Sequence, residues 1–244
     1  MKIEAIIICK NHGDFLAHSL PENIQHLDRI VVVTSPDDWE TRNLCNKYSI
    51  DCLDTEVFHE DGDAFNKGRG INLGKSHLRC DDWLLHLDAD IVLPHRFRNM
   101  LDRAKLDKSC IYGADRLNCK SYEHWRDNKH KTIPHFQYRF LVTPPAEFNM
   151  GARLVHKEYG YCPIGYFQLW HESQNRNYPI HAGSAEHDDV MFAVQWPRNK
   201  RILLPEVFVY HLESENAPMG TNWKGRKTKR FGPANNETPP KGYK

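Results

Sequence analysis

Along the first half of the chain, apolar and polar residues alternate in blocks of strand and helix length. Residues 3–9 (IEAIIIC) form an apolar run broken only by Glu4, as a strand buried on both faces of a sheet requires. Phe15, Leu16, Leu20, Ile24 and Leu27 then recur at helix-compatible spacing. A second run, RIVVVT at 29–34, stops at Ser35, Pro36, Asp37 and Asp38. The pattern predicts a helix over 39–48 and a weaker strand over 50–57. A further helix opens in the glycine-containing stretch 65–74 and reaches His77, and a strand covers 83–87. This cadence predicts an α/β fold with a mostly parallel sheet flanked by helices. Ligands of such sheets bind beyond the carboxyl ends of the strands. Asp37 and Asp38 follow one strand end there, and Asp88 and Asp90 another.

The character changes near residue 111. Tyr122, Trp125, His130, His135, Phe136, Tyr138 and Phe140 interleave with polar residues, and Pro144 and Pro145 make a break. This predicts a mixed region of antiparallel strands and loops. Helical spacing returns over 188–196, followed by an apolar strand over 201–210. The organisation expected is one domain over 1–215, with a change of character at 110/111, and a tail over 216–244.

Composition narrows the class. The chain has 244 residues, 40% hydrophobic and 27% charged, with a formal net charge of +1. That is enough chain for one sizeable core, and no global field steers it to nucleic acid or membrane. Charge is nonetheless uneven. From 221 to 244, Lys224, Arg226, Lys227, Lys229, Arg230, Lys241 and Lys244 face one acid, Glu237, which predicts a basic, poorly ordered tail. Seven scattered cysteines with no Cys-x-x-Cys fit neither a zinc site nor a disulfide framework. The first apolar run reads as a strand, not a signal peptide, and no stretch has the length of a bilayer span. A reduced, cytoplasmic protein is expected.

Candidate chemistry centres on WLLHLDADIVLP, residues 83–94. Alternation along a strand puts Asp88 and Asp90 on one face. Two carboxylates held so close repel unless a cation or proton relieves them. Mg²⁺ and Mn²⁺ take oxygen ligands and keep positions open for substrate phosphates. An isolated Asp-x-Asp is more often a turn or cap, so its surroundings decide. Upstream lies FNKGRGINLG (65–74), whose glycines allow close backbone approach and whose Lys67 and Arg69 reach toward phosphates; a plain helix start explains it equally well. Downstream, SAEHDDVMF (184–192) puts Glu186, His187, Asp188 and Asp189 ahead of an apolar helix. They are either dipole-stabilised acids or a source of a general base. His211 follows a buried-looking strand, as a satisfied histidine or a ligand for Mn²⁺.

In this order the motifs resemble GT-A fold glycosyltransferases, nearest the β-1,4-galactosyltransferase and chondroitin-synthase group. That group carries a FNRAxxxNxG-like segment, a strand ending in DVDLxP, a GGEDDD helix start and a late metal-binding histidine. The resemblance spans roughly residues 3–211 and implies a GT-A, Rossmann-like domain. Its first half, 1–110, would bind the nucleotide-sugar and its second, 111–215, would bind the acceptor and catalyse. It implies an inverting, Mn²⁺- or Mg²⁺-dependent transfer from a nucleotide-sugar, with UDP as the expected nucleotide, to an acceptor hydroxyl. By the same resemblance Asp90 and His211 bind the metal, and Asp88 contacts the ribose or the metal's water shell. Asp37 and Asp38 lie near the nucleobase, and Asn66, Lys67 and Arg69 near the donor. The family's base, the Asp after Glu in GGEDDD, falls on His187 when aligned on Glu186 and on Asp188 when shifted by one. Asp188 is favoured, with Asp189 and His187 next. Ser184-Ala185 replaces Gly-Gly, a departure at the acceptor loop. Phe167 and Trp170, in GYFQLW, either stack on a sugar or base or belong to the core.

Two other readings compete. A nucleotidyltransferase also binds a nucleotide and metal beside paired acids, but it leaves His211 unexplained. A nucleic-acid-binding protein would use the basic tail, against the repulsion of a carboxylate-lined rim. A combined reading is transfer to a polyanionic acceptor, such as hydroxylated bases in DNA or an acidic glycan, with steep salt dependence.

Overall fold

The computed structural model describes residues 1–79, 81–129, 149–151, 153–158, 160–180, 183–212 and 220–233. In chain order they form β1 (Ile3–Ile8), α1 (Gly13–Asn23), β2 (Arg29–Thr34), α2 (Trp39–Tyr48), β3 (Asp51–Asp54), α3 (Lys67–His77), β4 (Trp83–Asp88), β5 (Ile91–Val92), α4 (Phe97–Ala104), β6 (Ile111–Cys119), α5 (Tyr122–Asn128), β7 (Asn149–Met150), β8 (Leu154–His156), β9 (Gly160–Cys162), β10 (Phe167–His171), α6 (Asp188–Ala193) and β11 (Arg201–Leu212). Thus β2 and α2 match the predicted ranges, and β3 is shorter than expected.

One nine-stranded sheet has the order β3-β2-β1-β4-β10-β6-β11-β5, with β7 beside β6. The first four of these strands run parallel, and β10 is antiparallel to both of its neighbours. Chain order reverses at β1, which has β2 on one side and β4 on the other. That reversal opens a crevice at the carboxyl ends of β1 and β4. β1 is buried along its whole length, as its apolar run predicts. Its Ile3, Ala5 and Ile7 pack with Leu16, Leu20, Phe97 and Leu101 on one side of the sheet. Its Ile6 and Ile8 pack with Ile71, Trp170, Phe192 and Trp196 on the other. The result is a mixed α/β sheet between two helical layers, the GT-A arrangement.

The glycines of FNKGRGINLG serve packing. A Cβ at Gly74 would meet the Ile6 side chain at 2.6 Å, and one at Gly70 would meet Phe58 at 2.3 Å. At Gly68 it would meet the carbonyl of Pro179 at 2.6 Å. Small residues here let α3 lie close on the sheet and so set the depth of its first turn at the crevice.

Part of the expected tail is folded. Within 220–233, Arg226 pairs with both oxygens of Asp14, and the Phe231 N–H donates to Asp14 Oδ2 at 2.5 Å. Phe231 stacks on Phe15 with ring centres 4.9 Å apart, and Arg230 pairs with Glu40. Burial alone would raise the Asp14 carboxyl, but the Arg226 and Phe231 hydrogen bonds and the Arg226 charge hold it below its ordinary value. Docking therefore gains from the Asp14 charge above the ordinary carboxylate range and loses that gain as pH falls through the depressed value. Phe231→Ala should remove about 3 kcal/mol of docking energy. The amides of 220–233 should then lose hydrogen-exchange protection while those of β1 and β4 keep it; unchanged protection would show that the stack does not hold the segment.

His130, His135, Phe136, Tyr138, Phe140, Pro144 and Pro145, with Glu237, Lys241 and Lys244, lie outside the described residues. The six cysteines among the described residues are unbridged. No helix of the described residues is long and apolar enough to cross a membrane.

Candidate active site

Asp88 is the last residue of β4, opposite Ile8 of β1, and its N–H donates to the Tyr166 carbonyl at 3.2 Å. Asp90 lies in the turn between β4 and β5. Its carbonyl accepts from the Leu212 N–H at 2.8 Å, and Ile91 pairs with His211 across β5 and β11. These backbone bonds bring the late histidine to the early acid: His211 Nε2 is 3.3 Å from Asp90 Oδ2. From α3, Lys67 Nζ reaches Asp88 Oδ1 at 2.5 Å.

The two acids are pushed apart in proton affinity. Burial raises Asp88, and the adjacent Asp90 charge raises it further against the pull of Lys67, so its carboxyl stands above the ordinary range. Burial also acts on Asp90, but the charge and hydrogen bond of His211 outweigh it and hold Asp90 low. Burial works against the Lys67 ammonium, yet Asp88, Asp189 and Asp90 keep its pKa above the usual lysine value. A divalent cation would relieve the like-charge strain that Lys67 now offsets.

The residues present fit such a cation. Asp90 Oδ1 is buried with no hydrogen-bond partner among the described residues. A carboxylate oxygen beside an imidazole nitrogen is a donor set suited to Mn²⁺. Among the described residues no group of three or more His, Cys, Asp or Glu converges on one point. The protein would thus supply few ligands and leave the remaining positions to phosphate oxygens and water, as Mg²⁺- and Mn²⁺-nucleotide sites do.

The three base candidates occupy different environments. Asp188 is 1% exposed, and its Oδ2 accepts from the Gly68 N–H at 3.0 Å, tying α6 to α3. The His187 side chain is 69% exposed, on a left-handed backbone with φ 69°. Asp189 is half-buried; its Oδ2 accepts from the Gly165 N–H at 2.6 Å, and its charge acts on Lys67. Consecutive helical positions diverge by about 100°, which turns Asp188 into the α3 contact and Asp189 toward the loop before β10.

Other expected site residues separate in the same way. Asp38 is buried and accepts from the Asn11 and Thr41 N–H groups and from the Thr34 and Thr41 hydroxyls, at 2.6–3.1 Å. It caps α2 and pins the loop after β1, with both oxygens engaged. Asp37 beside it is exposed and within electrostatic reach of Lys10 and His59. Asp38→Ala should cost about 2–3 kcal/mol, from the lost cap and the stranded donors. Thermal unfolding checks this, and an unchanged midpoint would contradict it. Asn66 is buried and caps α3 through the Arg69 N–H (3.0 Å), its amide donating to Asp63 (2.7 Å). Arg69 is engaged by Glu60 and Asp61. Lys67 is thus the one side chain of this trio that meets the paired acids. Phe167 and Trp170 are fully buried in the core.

Two features escaped the sequence reading. The docked 220–233 segment forms one wall of a small cavity with Lys10, His12 and Phe65, and its Trp223 carbonyl accepts from the Ala185 N–H at 3.0 Å. Beneath the acids runs a buried polar chain of His86, Tyr178 and Gln168. A histidine inside an apolar strand was its only sequence signal.

Comparisons with known proteins bear on the family and the fold. The family described as Glycosyl transferase family 2 matches residues 4–162. No curated protein sequence matches the chain. Glucosyl-3-phosphoglycerate synthase from Mycobacterium tuberculosis, solved with Mn²⁺, UDP and glucosyl-3-phosphoglycerate, is similar in fold. It is 10% identical, with a TM-score of 0.50 over 89% of this chain and 73% of that one. Inositol-1-phosphate CTP transferase from T. maritima matches at 13% identity and TM-score 0.48, over 86% and 89% of the two chains. Mannosyl-3-phosphoglycerate synthase from Rubrobacter xylanophilus matches at 20% identity and TM-score 0.37. There the match covers 48% of this chain and only 40% of that one.

Proposed function

Because this chain belongs to glycosyl transferase family 2 and is a glycosyltransferase, we propose that it moves a sugar from a UDP-sugar to an acceptor hydroxyl with inversion, dependent on Mn²⁺ or Mg²⁺. The observation that carries this reading is the convergence of Asp90 with His211, and of Asp88 with Lys67, at the crevice where strand order reverses. Asp90 and His211 would hold the cation, which when bound stabilises the charge of the departing diphosphate as a Lewis acid. Asp88 fixes the ribose or the cation's water shell, and the Lys67 ammonium adds positive charge beside the phosphates. Asp37 and the loop at Lys10–His12 border the nucleobase.

Inversion requires the acceptor oxygen to attack opposite the leaving group, with a base on that side. Asp189 takes this role: it is half-buried where Asp188 is fully buried, the Gly165 and Val190 N–H groups orient its two oxygens, and its charge acts on Lys67. Asp188 is the buried support and His187 the exposed neighbour. In this reading residues 1–110 supply the donor site and 111–215 the acceptor site, and the order of motifs supports a kinship with the β-1,4-galactosyltransferase and chondroitin-synthase group. UDP and Mn²⁺ in the M. tuberculosis enzyme support the choice of nucleotide and metal. The acceptor carries a free hydroxyl, on a glycan, on modified DNA or on another anion.

The test is a panel of nucleotide-sugars with Mn²⁺, with and without chelator. Release of UDP from one UDP-sugar, stopped by chelator, is expected. Pyrophosphate release would establish nucleotidyl transfer instead. Nucleic-acid binding that depends on 216–244, with no turnover of any donor, would establish a binding protein.

A further inference from the structure

The transfer chemistry leaves one buried polar chain unused. Gln168 of β10 is fully buried, and its Nε2 donates to the carbonyls of Pro163 at 2.8 Å and Asp189 at 2.9 Å. An amide nitrogen carries two hydrogens, and these two carbonyls take both. The amide oxygen is thereby turned toward Tyr178, whose hydroxyl donates to it. A phenol has one hydrogen, so the oxygen of Tyr178 must accept from His86 Nδ1, 3.0 Å away. His86 is fully buried on β4; burial and the Lys67 charge push its pKa well below the ordinary value, which keeps the ring neutral. With its one hydrogen on Nδ1, the ring presents the Nε2 lone pair to Asp88 Oδ1, at 3.5 Å. Each link fixes the next, from two main-chain carbonyls to a carboxylate.

We propose that Gln168, Tyr178 and His86 are positioning residues: they hold His86 in its Nδ1–H tautomer so that its lone pair keeps Asp88 turned out toward Lys67 and Asp90. A lone pair facing a carboxylate oxygen disfavours inward rotation of that carboxylate. The opposite tautomer would place an N–H there and draw Asp88 inward, away from the donor. The same amide that sets the tautomer also holds the Asp189 carbonyl, so one chain supports the donor side and the base side of the crevice. Its surroundings are apolar, with Tyr178 stacked on Phe192 (ring centres 3.9 Å apart) and edge-on to Trp170. Of the polar side-chain atoms of Gln168, Tyr178 and His86, only Nε2 of His86 has no hydrogen-bond partner among the described residues, and it is the atom 3.5 Å from Asp88. The inference rests on the proposed role of Asp88.

Two variants test it; Gln168→Met also releases the Asp189 carbonyl, so Tyr178→Phe is the one whose kcat isolates the tautomer. Tyr178→Phe removes the acceptor for Nδ1–H. Gln168→Met frees the Tyr178 hydroxyl to donate to Nδ1. Neither substituted side chain touches Asp88, yet both favour hydrogen on Nε2. ¹⁵N NMR of His86 should show the Nδ1–H tautomer in the unsubstituted protein and the Nε2–H tautomer in both variants. With a UDP-sugar that the enzyme turns over, each variant should lower kcat for UDP release about tenfold, the usual scale for such supporting groups. A His86 in the Nε2–H form before substitution, or variants that switch tautomer yet keep wild-type kcat, would overturn the proposal. If no UDP-sugar is turned over, the functional reading fails, and the NMR result still decides whether the chain sets the tautomer.

Discussion

Asp189→Asn should lower sugar transfer about a thousandfold while leaving UDP and Mn²⁺ binding within a few-fold of the starting protein, since a general base contributes roughly 10²–10⁴ in rate. An asparagine keeps the size of the side chain and its amide oxygen can still accept from the Gly165 N–H, as Asp189 Oδ2 does at 2.6 Å. Its NH₂ cannot accept from the Val190 N–H as Asp189 Oδ1 does at 2.7 Å, a local loss that unfolding temperature reads, and it cannot take the acceptor's proton, which transfer kinetics read. Transfer kinetics with calorimetric UDP binding separate these effects. Asp188→Asn gives the contrast: its carboxylate is buried on the Gly68 N–H, so its loss should appear as a lower unfolding temperature. If Asp188→Asn abolishes transfer at full stability and Asp189→Asn does not, the base is Asp188.

The second large effect belongs to Asp90→Asn. Asp90 meets His211 through Oδ2, and its Oδ1 is buried without a partner among the described residues. Replacing the carboxylate removes the charge that a divalent cation would balance. UDP binding in Mn²⁺ should weaken by more than about a hundredfold, and chelator should then make no further difference, because direct ligation outweighs the 10–100-fold typical of supporting groups. Lys67 and Asp88 remain, so metal-free UDP binding should survive. Equal metal stimulation in the Asp90→Asn protein would place the cation elsewhere.

Much of this fold was readable because its strands are buried on both faces. The runs at 3–9 and 29–34 leave no amphipathic ambiguity, and Ser35, Pro36 and Asp38 mark where a helix must start. Beyond residue 111 the pattern was less decisive. β6 carries Asp115, Arg116 and Asn118 within a buried strand, and Asp115 is matched by Arg153, a partner far along the chain that local periodicity cannot anticipate. The late segment misled for a related reason. Its excess of cations predicted poor order, but within 220–233 Asp14 and Glu40 on early helices receive Arg226 and Arg230. Ordered motifs singled out Asp88, Asp90, Lys67 and His211; the pairing of β5 with β11 brings His211 to Asp90, and α3 brings Lys67 to Asp88. Local sequence does not distinguish an exposed carboxylate from one buried as a helix cap. Asp37 and Asp38 are adjacent in sequence, and one is exposed while the other accepts four hydrogen bonds. Asp188 and Asp189 differ likewise: a single helical step separates a carboxylate buried on the Gly68 N–H from a half-buried one on the Gly165 N–H.

In the proposed mechanism Asp90 and His211 gather a divalent cation at the carboxyl ends of β1 and β4. Anomalous scattering from crystals grown with Mn²⁺ and UDP tests it most directly. The expected result is one strong manganese peak within ligand distance, about 2.0–2.3 Å, of an Asp90 oxygen and a His211 nitrogen, with UDP phosphate oxygens completing its shell. UDP bound with no manganese peak there, or with the peak on other residues, would contradict it.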